Sequence, residues 1–288
     1  MNGKKVFITG SNGMLGSNLL KLLPFDTIGF SSNELDVTNS KQCINILKKE
    51  KPDILIHTAA YTDVESCEIN QDKAYLVNSM GTQNLVNYCI DKDILFIYIS
   101  STGIYGTKKE NESYNEFDNV NPTTIHHKSK YEGEKIVQNH LSKFLIIRTG
   151  WLFGGDKLHN KNFVYKRDLE AKDNSEINSD NSQIGNPTSI KDLVNQIKVL
   201  IDNCQYGIFN CVNEAENISR YYYVKKIVEL FECNCKVEVA SETMFKRVAK
   251  VSKNESAENY KLKLIGLNIM SKWENSLKIY IQSLRVEN

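Results

Sequence analysis

The chain is poor in several features that mark specialised classes of protein. Its 36 lysines and arginines are balanced by 35 aspartates and glutamates, so the formal net charge at pH 7 is +1. A balance this even gives no reason to expect a nucleic-acid or membrane-binding surface. The apolar runs are also far too short to cross a bilayer, and only four prolines interrupt the 288 residues. We therefore expect neither nucleic acid nor a membrane as a partner.

Paired cysteines are lacking as well. The seven cysteines are scattered without a rhythm, and Cys233 and Cys235 are too close together for a C-x₂-C metal knuckle. No metal site is predicted. The odd number of thiols, most of them in apolar or helical stretches, indicates reduced cysteines rather than a disulfide framework. The N-terminus runs directly into a strand without the apolar region of a signal peptide. Together these features predict a cytoplasmic protein.

What the chain does have is the pattern of an α/β protein. Short β-rich runs alternate with helical stretches, which predicts βαβ units and a parallel sheet covered on both faces. The predicted fold is a Rossmann-type, doubly wound parallel sheet with a smaller C-terminal α/β substrate lobe. Residues 1–155 would form the dinucleotide-binding domain and residues 156–288 mainly the substrate lobe, with the chain returning to the sheet around 186–212. A long helix is expected at about 72–89, a polar surface loop at 107–122 and a helix at 126–140.

A glycine pattern at the start of the chain predicts a dinucleotide site. Gly10, Gly13 and Gly16 form G-x-x-G-x-x-G directly after a strand and directly before a helix. Glycines there permit a tight turn and let the backbone approach a pyrophosphate, which then sits on the positive N-terminus of the helix. The pattern in this context favours a cofactor site over a turn for packing alone. The loop residues expected at the cofactor are Gly10, Asn12, Gly13, Met14, Leu15 and Gly16.

The end of the second strand bears on the choice between NAD and NADP. An acid there would hold the ribose 2′-hydroxyl and repel a 2′-phosphate. The strand ends in Ser31 and Ser32, with hydroxyls and no acid. This favours NADP(H), although no arginine stands ready to clamp the phosphate, and NAD(H) stays open as the alternative. Asp36 and Val37 are expected near the adenine.

Several further segments resemble the dTDP-4-dehydrorhamnose reductase branch of the extended short-chain dehydrogenase/reductases. They occur in the family's order along the whole chain, down to Gly266 and Trp273, and their order and spacing are more specific than any one of them. The resemblance implies a Rossmann domain with a small C-terminal lobe that grips a nucleotide-linked sugar. The segments are Ala59–Val64, Cys67–Glu68, Ala74–Asn78, Arg148–Gly154, Asn162–Val164 and Gln183–Thr188.

The resemblance also implies a catalytic set of a serine or threonine, a tyrosine and a lysine. By position the hydroxyl falls on Ser101, with Thr102 beside it, and the lysine falls on Lys130. The tyrosine position, four residues before the lysine, is occupied by His126. Positions i and i+4 share one helical face, so both side chains could reach one edge of the cofactor. Further expected cofactor contacts are Ala59, Ala60, Tyr61, Asn78 and Lys130, and expected substrate contacts are Asn162, Phe163, Gln183 and Arg220.

Three interpretations of His126 are open. In the first, His126 or a water held by it is the acid, because histidine titrates near neutrality, and Ser101 polarises the carbonyl. In the second, the acid is a neighbour, with the substrate itself as a further relay; the side chains considered are Tyr105, Tyr131, His127 and Thr102. In the third, the protein binds the cofactor without turnover. The retained lysine and hydroxyl favour chemistry.

We therefore expect an NAD(P)H-dependent reductase of the 4-keto group of a nucleotide-linked deoxy sugar, acting in surface polysaccharide biosynthesis with a non-standard proton donor at His126. The first alternative is a non-catalytic NAD(P)-binding regulatory protein of the same fold. The second is a nucleotide-sugar epimerase or dehydratase, which ranks lower because no acidic pair stands beside Ser101. A nucleotide sugar is the expected partner, and a homodimer is one assembly that the sequence leaves open.

Overall fold

The structure is a computed structural model that describes residues 3–106, 112–157, 159–240, 244 and 247–286. Strands and helices alternate through the first two thirds of the chain, as the sequence predicts. The strands are β1 Lys5–Thr9, β2 Asp26–Phe30, β3 Ile54–His57, β4 Leu95–Ser101, β5 Phe144–Thr149, β6 Leu152–Phe153, β7 Glu176–Ser179, β8 Ile184–Gly185, β9 Thr188–Ser189, β10 Gly207–Asn210, β11 Ile218–Ser219 and β12 Lys236–Val239. The α-helices are α1 Met14–Leu22, α2 Ser40–Glu50, α3 Val64–Ile69, α4 Gln71–Tyr75, α5 Gly81–Cys89, α6 Ile125–His140, α7 Phe163–Asp173, α8 Ile190–Asp202, α9 Arg220–Phe231, α10 Tyr260–Leu264 and α11 Trp273–Val286.

The main sheet has six parallel strands in the order β10-β5-β4-β3-β1-β2. The chain runs outward from β1 to β2, then crosses back to β3 on the other side. In open α/β sheets, ligands bind at the carboxyl ends of the strands where the order reverses. That point lies here between β1 and β3, directly after the glycine loop. The predicted doubly wound parallel sheet is confirmed.

Both faces of the sheet are covered by amphipathic helices. One apolar cluster joins strand residues such as Ile8 and Ile56 to Leu19 of α1 and Ile197 of α8. The other joins the opposite strand faces to α2, α5 and α6, with Val137 as the contribution of α6. Because the strands are buried on both sides, they read as continuous apolar runs instead of alternating ones. The two clusters bury the strands of the main sheet from both faces.

The long helix expected at 72–89 is present but is not regular. Residues 71–89 are helical throughout, and Leu76–Met80 form a π-helical turn between α4 and α5. A π turn inserts one extra residue into the helix, and such turns occur frequently at functional sites. The separate helix α3, Val64–Ile69, precedes this helical stretch. The irregular turn carries Asn78, which is buried.

The C-terminal part builds a smaller unit against the end of the sheet. Helices α7, α9 and α11 pack around Tyr223 and Trp273, and the parallel pair β7–β12 lies beside them. Strand β10 pairs with β5 of the main sheet, and α8 packs on the same sheet face as α1. The chain therefore crosses between the two units, while the boundary at residue 155 stays a prediction.

Two expectations concern other parts of the chain. Residues 107–111 of the expected polar loop lie outside the described residues, whereas Tyr114 is fixed by backbone hydrogen bonds with Ser256 and Glu258 and stacks on Tyr105 with 4.9 Å between ring centroids. Within the described ranges, none of the helices combines the length and the apolar character needed to span a bilayer.

Candidate active site

The glycine loop packs so closely on neighbouring backbone that side chains cannot fit at Gly10 and Gly16. Gly10 has φ of +69°, and a Cβ on it would lie 2.8 Å from the backbone of Ala59 after β3. A Cβ on Gly16 would lie 2.2 Å from the carbonyl oxygen of Gly10. Gly13 caps α1 without any side-chain hydrogen bond to the helix amides. These amides are therefore left for a ligand, as the pyrophosphate of a dinucleotide requires.

A cavity of about 690 Å³ runs from this loop to α6. Most of the residues expected at the cofactor line it: Gly10, Asn12, Gly13, Met14, Leu15, Gly16, Ser32, Asp36, Val37, Ala59, Ala60 and Lys130. Ser31, Tyr61 and Asn78 do not line the cavity. The buried hydroxyls of Ser100 and Thr149, also in its wall, have no hydrogen-bond partner among the described residues. Orphaned hydroxyls, the glycine turn and the free helix amides together fit a dinucleotide.

The end of β2 holds an acid that the linear sequence conceals. The Oε2 of Glu34 accepts hydrogen bonds from the backbone amide and the hydroxyl of Ser31, at 2.8 and 2.7 Å. These bonds lower the pKa of Glu34. The hydroxyl of Ser31 is thus engaged by a carboxylate, and Ser32 is the serine that faces the cavity. The expectation of no acid at this strand end was wrong, because Glu34 folds back by one turn.

His126, Lys130 and Glu134 occupy one face of α6 at intervals of four residues. The helix begins where the hydroxyl of Thr124 accepts a hydrogen bond from the amide of His127. His126 and Lys130 both line the cavity, and Glu134 is fully buried beneath them. The structure thus brings His126 and Lys130 to the same cavity wall as Ser101, as the resemblance implied.

The ring of His126 is held by a backbone carbonyl. Its Nδ1 lies 3.1 Å from the carbonyl oxygen of Tyr61. Because a carbonyl can only accept, Nδ1 carries the hydrogen and Nε2 bears a lone pair when the ring is neutral. Asn78 binds both backbone groups of Tyr61, accepting from its amide at 2.8 Å and donating to its carbonyl at 3.0 Å. Tyr61 and Asn78 thus orient His126, while their expected contact with the cofactor stays a prediction.

Burial sets the protonation of this face. It lowers the pKa of His126 well below 6.5, and the neighbouring His127 and Lys130 lower it further. Burial also lowers the pKa of Lys130 to about 7, while the carboxylate of Glu134 acts in the opposite direction. At neutral pH the imidazole is neutral and the amine is partly protonated. This arrangement opposes a role for His126 as a direct proton donor.

A buried ion pair anchors the lower end of this face. Arg148 donates from Nε and Nη2 to the two carboxylate oxygens of Glu134, at 3.1 and 2.8 Å. Its third nitrogen donates to the hydroxyl of Tyr105, which in turn donates to Asn210. Arg148 and Glu134 are therefore paired with each other, as buried charges require. Tyr105 is occupied in this network, and burial raises its pKa to about 12.

Ser101 and Thr102 lie in different environments in the structure. Ser101 lines the cavity and accepts a hydrogen bond from the amide of Gly103, whereas Thr102 is buried and does not line the cavity. The next residue must be small, since a Cβ on Gly103 would lie 2.2 Å from Cε1 of His127. His127 is a packing residue against this turn. Thr102, His127 and Tyr105 thus lie outside the cavity wall.

None of the four expected substrate contacts lines the cavity. Asn162 caps α7 and donates to the carbonyl of Asp156, and Phe163 stacks on Tyr223. The backbone of Arg220 donates to the carbonyl of Gln183, and its guanidinium lies 3.5 Å from the ring centroid of Trp151. These residues support the wall from behind.

Trp151 is one of the wall residues to which the sequence analysis gave no role at the site. It lines the cavity with φ of +43°, a left-handed conformation that is strained for a bulky residue. Its indole donates to Glu255 at 2.9 Å, and Gly185 leaves room for the ring, where a Cβ would lie 2.6 Å away. Thr62 and Lys161 close the mouth and hydrogen-bond to each other. Only the tertiary fold brings these three together.

No group of three or more His, Cys, Asp or Glu within the described ranges is placed to hold a metal ion.

Comparison with known proteins gives a consistent result. The family model described as RmlD substrate binding domain matches residues 4–286. A dTDP-4-dehydrorhamnose reductase of Aggregatibacter actinomycetemcomitans is 31% identical over 73% of this chain and 74% of its own length. The crystal structure of a dTDP-4-dehydrorhamnose reductase of Clostridium acetobutylicum is 33% identical, with a TM-score of 0.92 over 98% of this chain and 99% of that one.

A second solved structure carries a ligand. It is a dTDP-4-dehydrorhamnose reductase of Bacillus anthracis in complex with NADP, 32% identical with a TM-score of 0.92 over 98% of this chain and 99% of its own. The match covers both units of the fold described above. The chain therefore belongs to the RmlD substrate binding domain family.

Proposed function

We propose that the protein uses NADPH to reduce the 4-keto group of a nucleotide-linked 6-deoxy sugar. The observation that carries this proposal is the single cavity that joins the glycine loop to Ser101, His126 and Lys130. The similar proteins are named as reductases of this kind. The family that the chain belongs to, and the site that the fold assembles, support the same reaction.

The dinucleotide would be held by the glycine loop, by Ser32 and by Lys130, and when bound it supplies the hydride. NADP(H) is proposed because Ser32 offers a hydroxyl at the end of β2, and because a similar protein was solved with NADP. Glu34 is tied to Ser31 and is not in the cavity wall. The residues of this chain then have three tasks: to orient the ketone, to exclude water and to deliver one proton.

The sugar would lie between Ser101 and Trp151. Ser101 presents its hydroxyl to the carbonyl oxygen, where a hydrogen bond stabilises the negative charge that forms during reduction. Trp151 offers an apolar wall that is rigid, because Arg220 covers its other face and Glu255 holds its indole. Lys161 at the mouth adds a positive charge where a diphosphate could enter.

The test uses the purified protein with NADPH and a panel of nucleotide-linked 4-keto-6-deoxy sugars. The loss of nicotinamide absorbance measures reduction, and the same nucleotide sugars with a hydroxyl at C4 serve as controls. We expect oxidation of NADPH with at least one ketone and with none of the controls. NADH in place of NADPH tests the preference for the cofactor.

One observation favours a second candidate, a cofactor-binding regulator without turnover. The tyrosine position of the family's catalytic set holds His126, whose lone pair cannot donate a proton. Tight binding of NADPH together with no oxidation on any ketone of the panel would favour the regulator and contradict the reductase. An epimerase or dehydratase would instead convert its substrate without net loss of NADPH absorbance.

A further inference from the structure

The resemblance to the family does not identify the proton donor, because the tyrosine position holds His126. The contacts of His126 and Lys130 distinguish between these two side chains as donors. His126 is fixed by the carbonyl of Tyr61, so Nε2 of the neutral ring is a hydrogen-bond acceptor. Among the described residues the ring of His126 makes its hydrogen bond through Nδ1, and the residue lines the cavity. An acceptor at this place binds the hydrogen of a hydroxyl or a water. It cannot give a proton to an oxygen anion.

Two lysines line the cavity in the part of the chain that the structure describes, and of these Lys130 is buried whereas Lys161 is exposed. The Nζ of Lys130 has no hydrogen-bond acceptor among the described residues and lies 4.0 Å from the ring centroid of Tyr98. The side chain is 5% exposed. Positions i and i+4 on a helix bring it beside His126 on the same wall. The geometry places an unshared N–H donor next to a fixed acceptor.

The groups that face Lys130 come from three elements. Glu134 lies one turn further along α6 and forms a buried ion pair with Arg148. Tyr98 of β4 and His57 of β3 lie beneath the amine, and burial keeps both uncharged by raising the pKa of the phenol and lowering that of the imidazole to about 3. On its own helix, His126 is neutral. Lys161 lies near His126 at the mouth of the cavity.

We propose that Lys130 supplies the proton for the reduced oxygen, through one water that His126 holds by accepting a hydrogen bond at Nε2. This inference rests on the proposed function. The water accepts from the ammonium of Lys130, donates one hydrogen to Nε2, and passes its other hydrogen to the alkoxide. One N–H bond of Lys130 breaks, one O–H bond forms on the sugar, and the water is restored. Lys130 is left as a neutral amine and regains a proton from solvent.

Lys130 also has a second task in the proposed function, because it helps to hold the cofactor. Lys130→Met and Lys130→Arg separate the two tasks. Arginine keeps the positive charge but is not deprotonated in proteins, so it can hold the dinucleotide and cannot deliver the proton. We expect both variants to lose roughly 10²- to 10⁴-fold in kcat at saturating NADPH, the contribution of a general acid. Binding of NADPH, followed by fluorescence, should weaken more in Lys130→Met.

The pH profile identifies which group titrates. In the wild type, kcat falls as the pH rises through the pKa of Lys130, which lies near neutrality. His126→Gln removes the imidazole and should cost about tenfold by loosening the water, while this fall in rate with pH stays in place. In both Lys130 variants the fall disappears. A pH profile that follows His126, or a Lys130→Arg variant with the wild-type rate, would overturn the proposal.

Two measurements do not depend on turnover. The ¹⁵N spectrum of histidine-labelled full-length protein, with and without NADPH, should show a ring that stays neutral and protonated on Nδ1 above pH 6, and His126→Gln identifies its signals. In the ¹³C spectrum of labelled lysine, one side chain should titrate near pH 7, and Lys130→Met should remove it. A His126 ring protonated on Nε2 at neutral pH overturns the proposal.

These readouts also separate the two proposals. If no ketone oxidises NADPH while both spectra are as expected, the proposed reduction fails and the protonation states of the site stand. If NADPH is oxidised while Lys130 titrates above pH 9, the reduction stands and this inference fails.

Discussion

The two ends of the cavity are built on different principles. The glycine-loop end, residues 10–16, owes its shape to side chains that are missing, since a Cβ on Gly16 would meet the carbonyl of Gly10 at 2.2 Å. The α6 end, formed by His126, Lys130 and Glu134, owes its chemistry to side chains that are present and withheld from water. One end is set by backbone space and the other by the cost of burying charge. Changes at the two ends should therefore fail in different ways.

The largest effect is expected for the ion pair at the α6 end. Arg148→Met leaves the carboxylate of Glu134 buried and unpaired, so the free energy of unfolding should fall by about 3–5 kcal/mol in urea titrations. Arg148→Met combined with Glu134→Leu should recover much of this loss, because no charge is left behind. Arg285→Met is the matched control, since its bond to Glu232 is exposed, and it should change stability by less than about 0.5 kcal/mol. Equal losses in both arginine variants would contradict the distinction.

At the glycine-loop end, the expected effect is smaller and geometric. Gly16→Ala should lower the free energy of unfolding of the cofactor-free protein by about 1–3 kcal/mol, since backbone atoms cannot move aside. Gly13→Ala is the control in the same loop, where the nearest atom to a Cβ is 3.2 Å away, and it should cost well under about 1 kcal/mol. The measurement is urea unfolding without the dinucleotide. A loss that appears only when NADPH is present would show that the ligand, and not the backbone, sets the limit.

Gly103 tests whether packing at the α6 end also requires a residue without a side chain. Gly103→Ala should cost about 1–2 kcal/mol, because the ring of His127 must shift. In a His127→Ala background the same change should cost close to nothing, and the double-mutant cycle measures the difference. A cost that is independent of His127 would place the strain in the turn itself.

The smallest effect is expected at the end of β2. Glu34→Gln removes an exposed charge beside Ser31 and Ser32, so the affinity for NADPH relative to NADH should rise roughly two- to threefold. Fluorescence titration with both dinucleotides at low salt measures the ratio. Glu65→Gln, on α3 outside the cavity wall, is the control and should leave the ratio unchanged. An unchanged ratio would mean that Glu34 does not face the 2′-position, and a fall would contradict the expected repulsion.

The sequence predicts the glycine-loop end better than the α6 end. A turn that only glycine can fit leaves its mark in the residue types, and every loop residue expected at the cofactor lines the cavity. The folding back of Glu34 onto Ser31 is also local, but it depends on a turn that the residue pattern does not specify. At the α6 end, spacing places His126 and Lys130 on one wall. It does not reveal their protonation, which depends on burial and on Tyr61, 65 residues earlier in the chain.

The expected substrate contacts stay a prediction. Asn162, Phe163, Gln183 and Arg220 were expected to contact the sugar; they do not line the cavity, and the guanidinium of Arg220 packs on Trp151. A single sequence does not distinguish a motif whose residues line the cavity from a motif whose residues pack behind that lining. The left-handed backbone of Trp151 has no signature in the residue pattern, because a bulky residue is normally excluded from that conformation.

The orientation of the His126 ring depends on the π-helical turn at Leu76–Met80, because this turn sets the position of Asn78. The carbonyl of Tyr61 receives one hydrogen from Asn78 and another from His126. If the extra residue of the turn were expelled and the helix became regular, Asn78 would rotate by about 100° about the axis. The backbone of Tyr61 would then lose its two hydrogen bonds with Asn78. The imidazole of His126 would be free to rotate, and Nε2 could become the donor in place of Nδ1. The choice of which ring nitrogen of His126 carries the hydrogen thus depends on a π-helical turn almost fifty residues away from it in the chain.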